Sequence, residues 1–271
     1  MEWPCSNTDE MMEKKGRITL YWKKDAAGRY FLESGEREGR LDGPELMVVL
    51  ADEARAGRLF PVFQQKAGTY GAYSEYMTRH GCACCSLTTI LAAYVPEYRS
   101  LRPDETIARV EREILGEEAW RRNYSRHIAR QMPVSLYGIS RILAAHHIPH
   151  RYVGSFADEQ ALQEILSHLY SGRPVVVETS RMKRQNGRIV RWFDKRFAGS
   201  YHTMILLGVD GQGQVLFTDS ATREWSGRWQ RLKRAAPDDL LAYMFPQKNT
   251  GDTHVYFSRR KNTGGYILLD E

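Results

Sequence analysis

The sequence predicts an α+β fold, and two features of its patterning support this prediction. Helical periodicity dominates the first half of the chain, where several segments repeat apolar residues every three or four positions. Short apolar runs separated by glycine-containing turns dominate the second half, and these are typical of antiparallel strands. Helices grouped before strands indicate an N-terminal helical part packed against a C-terminal antiparallel sheet.

The chain has 271 residues, which is enough for one large domain preceded by a small extension. Residues 1–58 predict such an extension, composed of a hairpin plus a helix. The hairpin is expected over Arg17–Ser34, where two apolar runs flank a glycine turn. The helix is expected over Asp42–Arg58, where an aspartate can cap the first turn and a glycine stands near the end. Residues 59–271 then form the main domain.

Four segments of the main domain carry helical periodicity and stop at or near a proline, a glycine or a histidine pair. They are Ser86–Tyr94, Arg102–Leu115, Pro133–His147 and Asp158–Gly172. Single strands and hairpins are predicted over Ile148–Gly154, Arg173–Ser180, Tyr201–Ser220 and His254–Glu271.

Composition argues against several functional classes. Lys and Arg exceed Asp and Glu by six, but the basic cluster Arg181–Arg196 is broken by apolar residues and is typical of a solvated hairpin or loop, so no nucleic-acid partner is expected. No apolar run approaches the roughly eighteen residues of a membrane span. The N-terminus has no apolar signal region, and four cysteines do not make a disulfide framework, so we expect a cytoplasmic protein.

Three of the four cysteines lie within four residues, in the stretch Arg79–Tyr94. A zinc site could use the four side chains His80, Cys82, Cys84 and Cys85, but their spacing does not suit a tetrahedron. A disulfide between such close neighbours would be strained. The third interpretation is a nucleophile at a helix N-terminus, where the helix dipole and unpaired N–H groups favour the thiolate.

Helical phase separates the three cysteines. The buried face of the helix is defined by apolar residues that recur at helical spacing, namely Leu87, Ile90, Leu91 and Tyr94. Extended backwards at about 100° per residue, this face includes Cys84, which we expect to be a small core residue. Cys82 follows Gly81 and is the best placed for attack, and Cys85, which is expected to point outward, is the second choice.

A thiol nucleophile needs a base and a group that orients the base. His202 opens an apolar strand, and the next strand ends in Asp219. A two-residue turn at Asp210–Gly211 would place His202 directly opposite Asp219, with the two side chains about 5 Å apart on one face. A longer loop that also contains Gln212 and Gly213 would offset the pair by two residues and weaken the contact.

These motifs resemble those of the papain-like cysteine peptidases related to the double-glycine leader peptidases of bacteriocin export. The stretch "HGCACCSLTTIL" resembles the nucleophile segment of that family, which places the nucleophile at Cys82. "LYSGRPVVVE" resembles a family strand, and "YHTMILLGVDGQGQVLFTDS" resembles the family hairpin that carries the base and the acid. Cys84 and Cys85 depart from the family's Pro and Thr, and Ser220 stands where a proline usually follows the acid.

The resemblance implies a role for each matching residue. Cys82 is the nucleophile, His202 the base and Asp219 the group that orients the base. "FPVFQQ" resembles an upstream element whose glutamine helps to form the oxyanion hole, and the match falls on Gln65, with Gln64 as the alternative. Such a glutamine amide and the Cys82 N–H could together stabilise a tetrahedral oxyanion.

The expected protein is therefore a papain-like thiol hydrolase that cleaves a peptide or amide bond through a thioacyl-enzyme. No metal and no cofactor are expected, and the expected partner is a peptide or protein substrate. An acyltransferase or transglutaminase-like enzyme on the same fold is an alternative, because the acyl group could pass to an amine instead of water. A catalytically inactive peptide-binding module is another.

Overall fold

The computed structural model of the chain describes residues 16–39, 41, 45–52, 55–66, 70–71, 74–115, 135–180, 182–185, 188–191, 202–221, 231–247 and 264–270. Helices and largely antiparallel sheets make up this part of the chain, so the predicted α+β class is correct. None of the helices in these ranges is long and apolar enough to cross a membrane.

Four strands precede the first helix of the described residues and form one sheet. They are β1 (Gly16–Lys24), β2 (Tyr30–Glu38), β3 (Glu45–Asp52) and β4 (Arg55–Phe63), in the spatial order β2-β1-β3-β4. β1 and β2 pair antiparallel, which confirms the predicted hairpin. β3 lies parallel to β1 and antiparallel to β4.

The helix predicted over Asp42–Arg58 is wrong, because strands β3 and β4 occupy this segment. Leu46, Val48 and Leu50 recur at every second position in β3 and are buried, which is the period of a strand. Their β propensity is realised by pairing with β1, more than twenty residues away in sequence. A capping aspartate and a terminal glycine therefore did not decide the structure of this segment.

Helices occupy most of the middle of the described chain. They are α1 (Ser74–His80), α2 (Cys82–Tyr94), α3 (Pro103–Leu115), α4 (Leu136–Ala145), α5 (Asp158–Tyr170) and α6 (Pro237–Leu241), with a 3₁₀ turn at Pro96–Tyr98. The four helices predicted from periodicity are confirmed as α2 to α5. α2 ends as predicted at Val95, which is extended (φ −123°, ψ 108°) because it precedes Pro96.

A six-stranded antiparallel sheet forms the second large layer. Its strands are β5 (His150–Val153), β6 (Val175–Thr179), β9 (His202–Val209), β10 (Val215–Thr218), β11 (Leu232–Ala235) and β12 (Tyr266–Leu269), in the order β11-β10-β9-β6-β12-β5. A separate hairpin joins β7 (Lys183–Gln185) to β8 (Arg188–Arg191). The predicted C-terminal hairpin is represented only by β12, since residues 248–263 lie outside the described ranges.

The two faces of this sheet are buried against different helices. Ile205 and Leu207 of β9 belong to the larger apolar cluster, which also contains Leu87 of α2 and Phe60 of β4. Met204 and Leu206 of β9 belong to a second cluster with residues of α5 and α6. The larger cluster surrounds α2, and all its residues from Cys82 to Ala93 are buried. The N-terminus of α2 is thus held in the interior, next to the first residues of β9.

Candidate active site

Cys82 is the first residue of α2, and its thiol is almost fully buried. The thiol forms a hydrogen bond with the His202 side chain, and the backbone N–H groups of Thr203 and Ala83 point at its sulfur. Burial alone raises the pKa of Cys82, but these hydrogen bonds and the positive charge of His202 outweigh it and leave the pKa below its ordinary value. The local structure therefore favours a thiolate.

His202 lies between this thiol and a carboxylate. Its Nε2 is 2.8 Å from Oδ1 of Asp219, and both side chains are 2% exposed. Because a carboxylate only accepts hydrogen bonds, Nε2 carries a proton and donates a hydrogen bond to Asp219. The other ring nitrogen, Nδ1, is then the one left available to the Cys82 thiol. The structure thus brings the three predicted residues into one hydrogen-bonded chain.

The hairpin that carries this pair does not have the predicted direct register. Val215 pairs with Val209, and after a bulge Thr218 pairs with Ile205, so Asp219 is offset by two residues from the position opposite His202. The loop is longer than a two-residue turn because the Asp210 carboxylate accepts from the N–H groups of Gln212 and Gln214. The expected weakening does not follow, since the 2.8 Å contact is still made.

The buried pair is strongly coupled. Burial lowers the pKa of His202, but the charge and hydrogen bond of Asp219, with those of Cys82, raise it to about 10. Burial opposes ionisation of Asp219 too, yet the charges and hydrogen bonds of His202 and Lys233 hold the pKa of that carboxyl well below its usual range. A thiolate, an imidazolium and a carboxylate can therefore coexist at neutral pH.

Lys233 belongs to the site and was not predicted. Its Nζ lies 2.5 Å from Oδ2 of Asp219, the oxygen that His202 does not use. Lys233 stands on β11, which pairs with β10 immediately before Asp219. No short-range pattern in the sequence links it to the site, because the contact depends on the order of strands in the sheet.

Gln65 follows β4 and lies beside the residue after Asp219. Its backbone N–H donates to the Ser220 carbonyl at 3.0 Å, and its side-chain Nε2 donates to the Thr78 carbonyl at 3.2 Å. The alternative, Gln64, is held differently, because its backbone carbonyl accepts from the Tyr70 hydroxyl at 2.8 Å. Oε1 of Gln65 accepts from the Ser220 hydroxyl at 3.2 Å, so the Gln65 side chain is tied to the loop that carries Asp219.

Comparison with known proteins adds one decisive finding. The model of the Peptidase_C39 like family matches residues 59–241, about two thirds of the chain. The chain belongs to this family. Gln65, Cys82, His202 and Asp219 all lie within the matched residues. No curated protein and no solved structure matches the chain.

The other two cysteines of this C39-like chain are packed inside the protein. Cys84 is buried in the apolar cluster, as predicted. The prediction that Cys85 points outward is wrong: its thiol is buried, and burial raises its pKa well above the ordinary value although the hydroxyls of Ser220 and Tyr70 favour the thiolate. The position of Cys85 around the helix axis did not predict its exposure, because α2 is enclosed on every side and a residue off the main apolar face is still buried.

The zinc alternative consists of His80, Cys82, Cys84 and Cys85, and three of these side chains are described. Among all the described side chains, no group of three or more His, Cys, Asp or Glu residues could hold a metal ion. In the described part of the chain, Cys82, Cys84 and Cys85 form no disulfide. The side chain of His80 lies outside the described part of the chain.

A second buried carboxyl, that of Glu178, lies close enough to Cys82 to be affected by its charge. Glu178 of β6 pairs with Thr203 across the sheet and is completely buried, and the backbone N–H of Gly264 donates to its Oε2. Burial, reinforced by the negative charge of Cys82, raises the pKa of Glu178 to about 8. A signal was visible in the sequence, because a charged residue closes the otherwise apolar run Val175–Val177.

Proposed function

We propose that the chain is a cysteine peptidase that hydrolyses a peptide or amide bond through Cys82, His202 and Asp219. The observation that carries the proposal is the buried hydrogen-bonded chain from the Cys82 thiol through the imidazole to the carboxylate. Membership of a peptidase family supports the same reaction class. The α+β layers, with the cysteine on a central helix and the histidine on a sheet, support a papain-like arrangement.

In the first step, the Cys82 thiolate attacks the substrate carbonyl carbon and a sulfur–carbon bond forms. The tetrahedral intermediate collapses, the carbon–nitrogen bond breaks, and His202 donates its Nδ1 proton to the leaving amine. Asp219 keeps the imidazole oriented through the 2.8 Å contact with Nε2. The products of this step are a free amine and a thioester on Cys82.

In the second step, a water molecule replaces the amine. His202 removes a proton from this water, whose oxygen attacks the thioester carbon. The carbon–sulfur bond then breaks, the acid product leaves, and Cys82 returns to the thiolate form beside a protonated His202. Each step uses only water and side chains of this chain.

The oxyanion formed in both steps needs hydrogen-bond donors. The backbone N–H of Cys82 is in the first turn of α2, where N–H groups have no partner within the helix. In this proposal, that N–H and a side-chain N–H of Gln65 donate to the oxyanion. The substrate is then a peptide or protein, as expected for a peptidase.

The test is the pH dependence of Cys82 alkylation by iodoacetamide, read by peptide mass spectrometry. Wild-type protein should reach half-maximal rate well below pH 8.5, the pKa of a model thiol. His202→Asn should move this midpoint to about 8.5 or above, because burial of the thiol is then no longer outweighed. His147→Asn is the matched control, because His147 is exposed and its positive φ of 56° suits asparagine.

A wild-type midpoint near 8.5 that does not respond to His202→Asn would sink the proposal and favour an inactive binding module. Hydrolysis is tested in the same samples with p-nitrophenyl acetate. The proposal expects a burst of p-nitrophenolate followed by steady turnover, because acylation of Cys82 precedes slower hydrolysis of the thioester.

A further inference from the structure

The side chain of Gln65 is held at both ends of its amide. Its Nε2 donates to the Thr78 carbonyl at 3.2 Å, and its Oε1 accepts from the Ser220 hydroxyl at 3.2 Å. A carbonyl can only accept, so the contact with Thr78 identifies the nitrogen end. Ser220 must then use its single proton to donate to Oε1. With these two contacts, one N–H of Gln65 remains for a ligand.

The Ser220 hydroxyl has a buried neighbour in the Cys85 thiol. Burial raises the pKa of Cys85 well above its ordinary value, although the hydroxyls of Ser220 and Tyr70 favour its thiolate. The Tyr70 proton goes to the Gln64 carbonyl at 2.8 Å. The Ser220 proton is likewise committed, to Oε1 of Gln65.

Ser220 is also fixed through its backbone. Its carbonyl accepts from the Gln65 N–H at 3.0 Å, and the next residue, Ala221, donates its N–H to Asp219 Oδ1 at 2.8 Å. Asp219, Ser220 and Gln65 are therefore joined in one buried network. Each hydrogen bond in such a chain polarises the next one.

We propose that Ser220 is a positioning residue for Gln65, and that the contacts of the amide with the Ser220 hydroxyl and the Thr78 carbonyl fix it with its free N–H aimed at the oxyanion. The inference rests on the proposed function, since it assigns the orientation of the oxyanion donor.

Two small reagents can isolate this role, because both react with the Cys82 thiolate and neither depends on substrate specificity. Acylation by p-nitrophenyl acetate passes through a tetrahedral oxyanion: the sulfur–carbon bond forms, the ester carbon–oxygen bond breaks, and p-nitrophenolate leaves. Alkylation by iodoacetamide is a direct displacement of iodide with no oxyanion at the reacting carbon. The ratio of the two rate constants therefore reports the oxyanion hole.

Ser220→Ala should lower the acylation rate about tenfold, less than the roughly 10²–10³-fold loss expected when a donor is removed, as in Gln65→Ala. The alkylation rate and its pH midpoint should stay unchanged. Ser220→Thr restores the hydroxyl and should restore acylation.

The double variant Gln65→Ala/Ser220→Ala completes the experiment. If Ser220 acts through Gln65, the second substitution should add nothing to the first, whereas independent effects would multiply. Additive losses, equal losses in acylation and alkylation, or no loss in Ser220→Ala would overturn the inference while leaving wild-type reactivity intact. A wild-type protein that shows no acylation at Cys82 and an ordinary thiol midpoint would instead overturn the proposed function, and this inference with it.

Discussion

Lys233 and His202 share the carboxylate of Asp219, with Nζ 2.5 Å from Oδ2 and Nε2 2.8 Å from Oδ1. Asp219 is buried, so each of its oxygens needs a partner. The two cations stabilise the negative charge from opposite sides, and the imidazolium beside Cys82 is stabilised in turn. The arrangement extends the proposed catalytic chain by one residue beyond the three that the sequence indicated.

Lys233→Met should destabilise the protein by about 1.5–3 kcal/mol at pH 7, because a buried carboxylate loses a charged hydrogen-bond donor. Urea denaturation measures the change. Asp219 has a lowered pKa in the folded state, so its ionisation stabilises the fold above the unfolded value of 3.8 and this contribution is lost as pH falls below it. The loss of stability caused by Lys233→Met should therefore become smaller as the pH falls.

The matched control for this variant is Lys183→Met. Lys183 lies 3.3 Å from Asp239, and both side chains are about one-third exposed, so this pair should contribute about 0–1 kcal/mol. Equal losses of stability in the two variants would contradict the importance given to burial of Asp219.

Asp219→Asn should impair turnover more than acylation. The amide cannot raise the pKa of His202 by charge, so the thiolate–imidazolium pair becomes less stable and the midpoint of Cys82 alkylation should rise. Steady-state hydrolysis of p-nitrophenyl acetate should fall on the order of 10²–10⁴-fold, since the imidazole must be correctly oriented to activate water. Asp238→Asn is the control, because Asp238 is exposed in α6, and it should have no effect. Unchanged turnover in Asp219→Asn would refute the proposed role of Asp219 in orienting His202.

The parts of the site that the sequence predicted depend on local pattern. Cys82 was identified from the start of an apolar helix and from the motif, and His202 with Asp219 from the hairpin around Asp210. The register of that hairpin was wrong because the Asp210 side chain and the positive φ of Gly213, 76°, build a longer loop. A bulge reduced the offset of Asp219 from three residues to two, and bulges are not visible in hydrophobic alternation.

The parts that were missed depend on contacts between distant segments. The sequence of β3 contains helix signals, but its pairing with β1 overrides them. Lys233 reaches Asp219 only because β11 lies next to β10. Cys85 is buried only because other elements surround α2 on all sides. The fold class follows from the sequence, whereas these contacts follow from the topology.

Glu178→Gln should change how stability depends on pH. The folded-state pKa of about 8 lies above the model value of 4.5, so between these values the folded protein holds one more proton than the unfolded chain. The free energy of unfolding of the wild type should therefore fall as pH rises from 5 to 9 through this group. Glu178→Gln lacks the titration, so its stability relative to the wild type should increase over the same range.

Urea denaturation at pH 5, 7 and 9 measures this effect. Glu159→Gln is the control, because Glu159 is exposed in the first turn of α5. The control should follow the wild-type dependence. A Glu178→Gln variant whose stability runs parallel to the wild type at all three pH values would show that burial of this carboxyl does not control its ionisation.

Gly81→Ala should disturb the position of Cys82 through packing and not through backbone conformation. Gly81 has an ordinary helical φ of −74°, but an added Cβ would lie 2.5 Å from the Met77 carbonyl oxygen and 2.9 Å from its Cα. These are backbone atoms of α1, so the start of α2 must move instead. We expect a loss of about 1–3 kcal/mol in the free energy of unfolding, typical of overpacking, together with slower alkylation of Cys82.

Gly211→Ala is the control, since its nearest neighbours, on Phe31, lie at 3.9 Å. If Gly81→Ala proved as stable and as reactive as Gly211→Ala, the close approach of α1 could not be what positions the thiol.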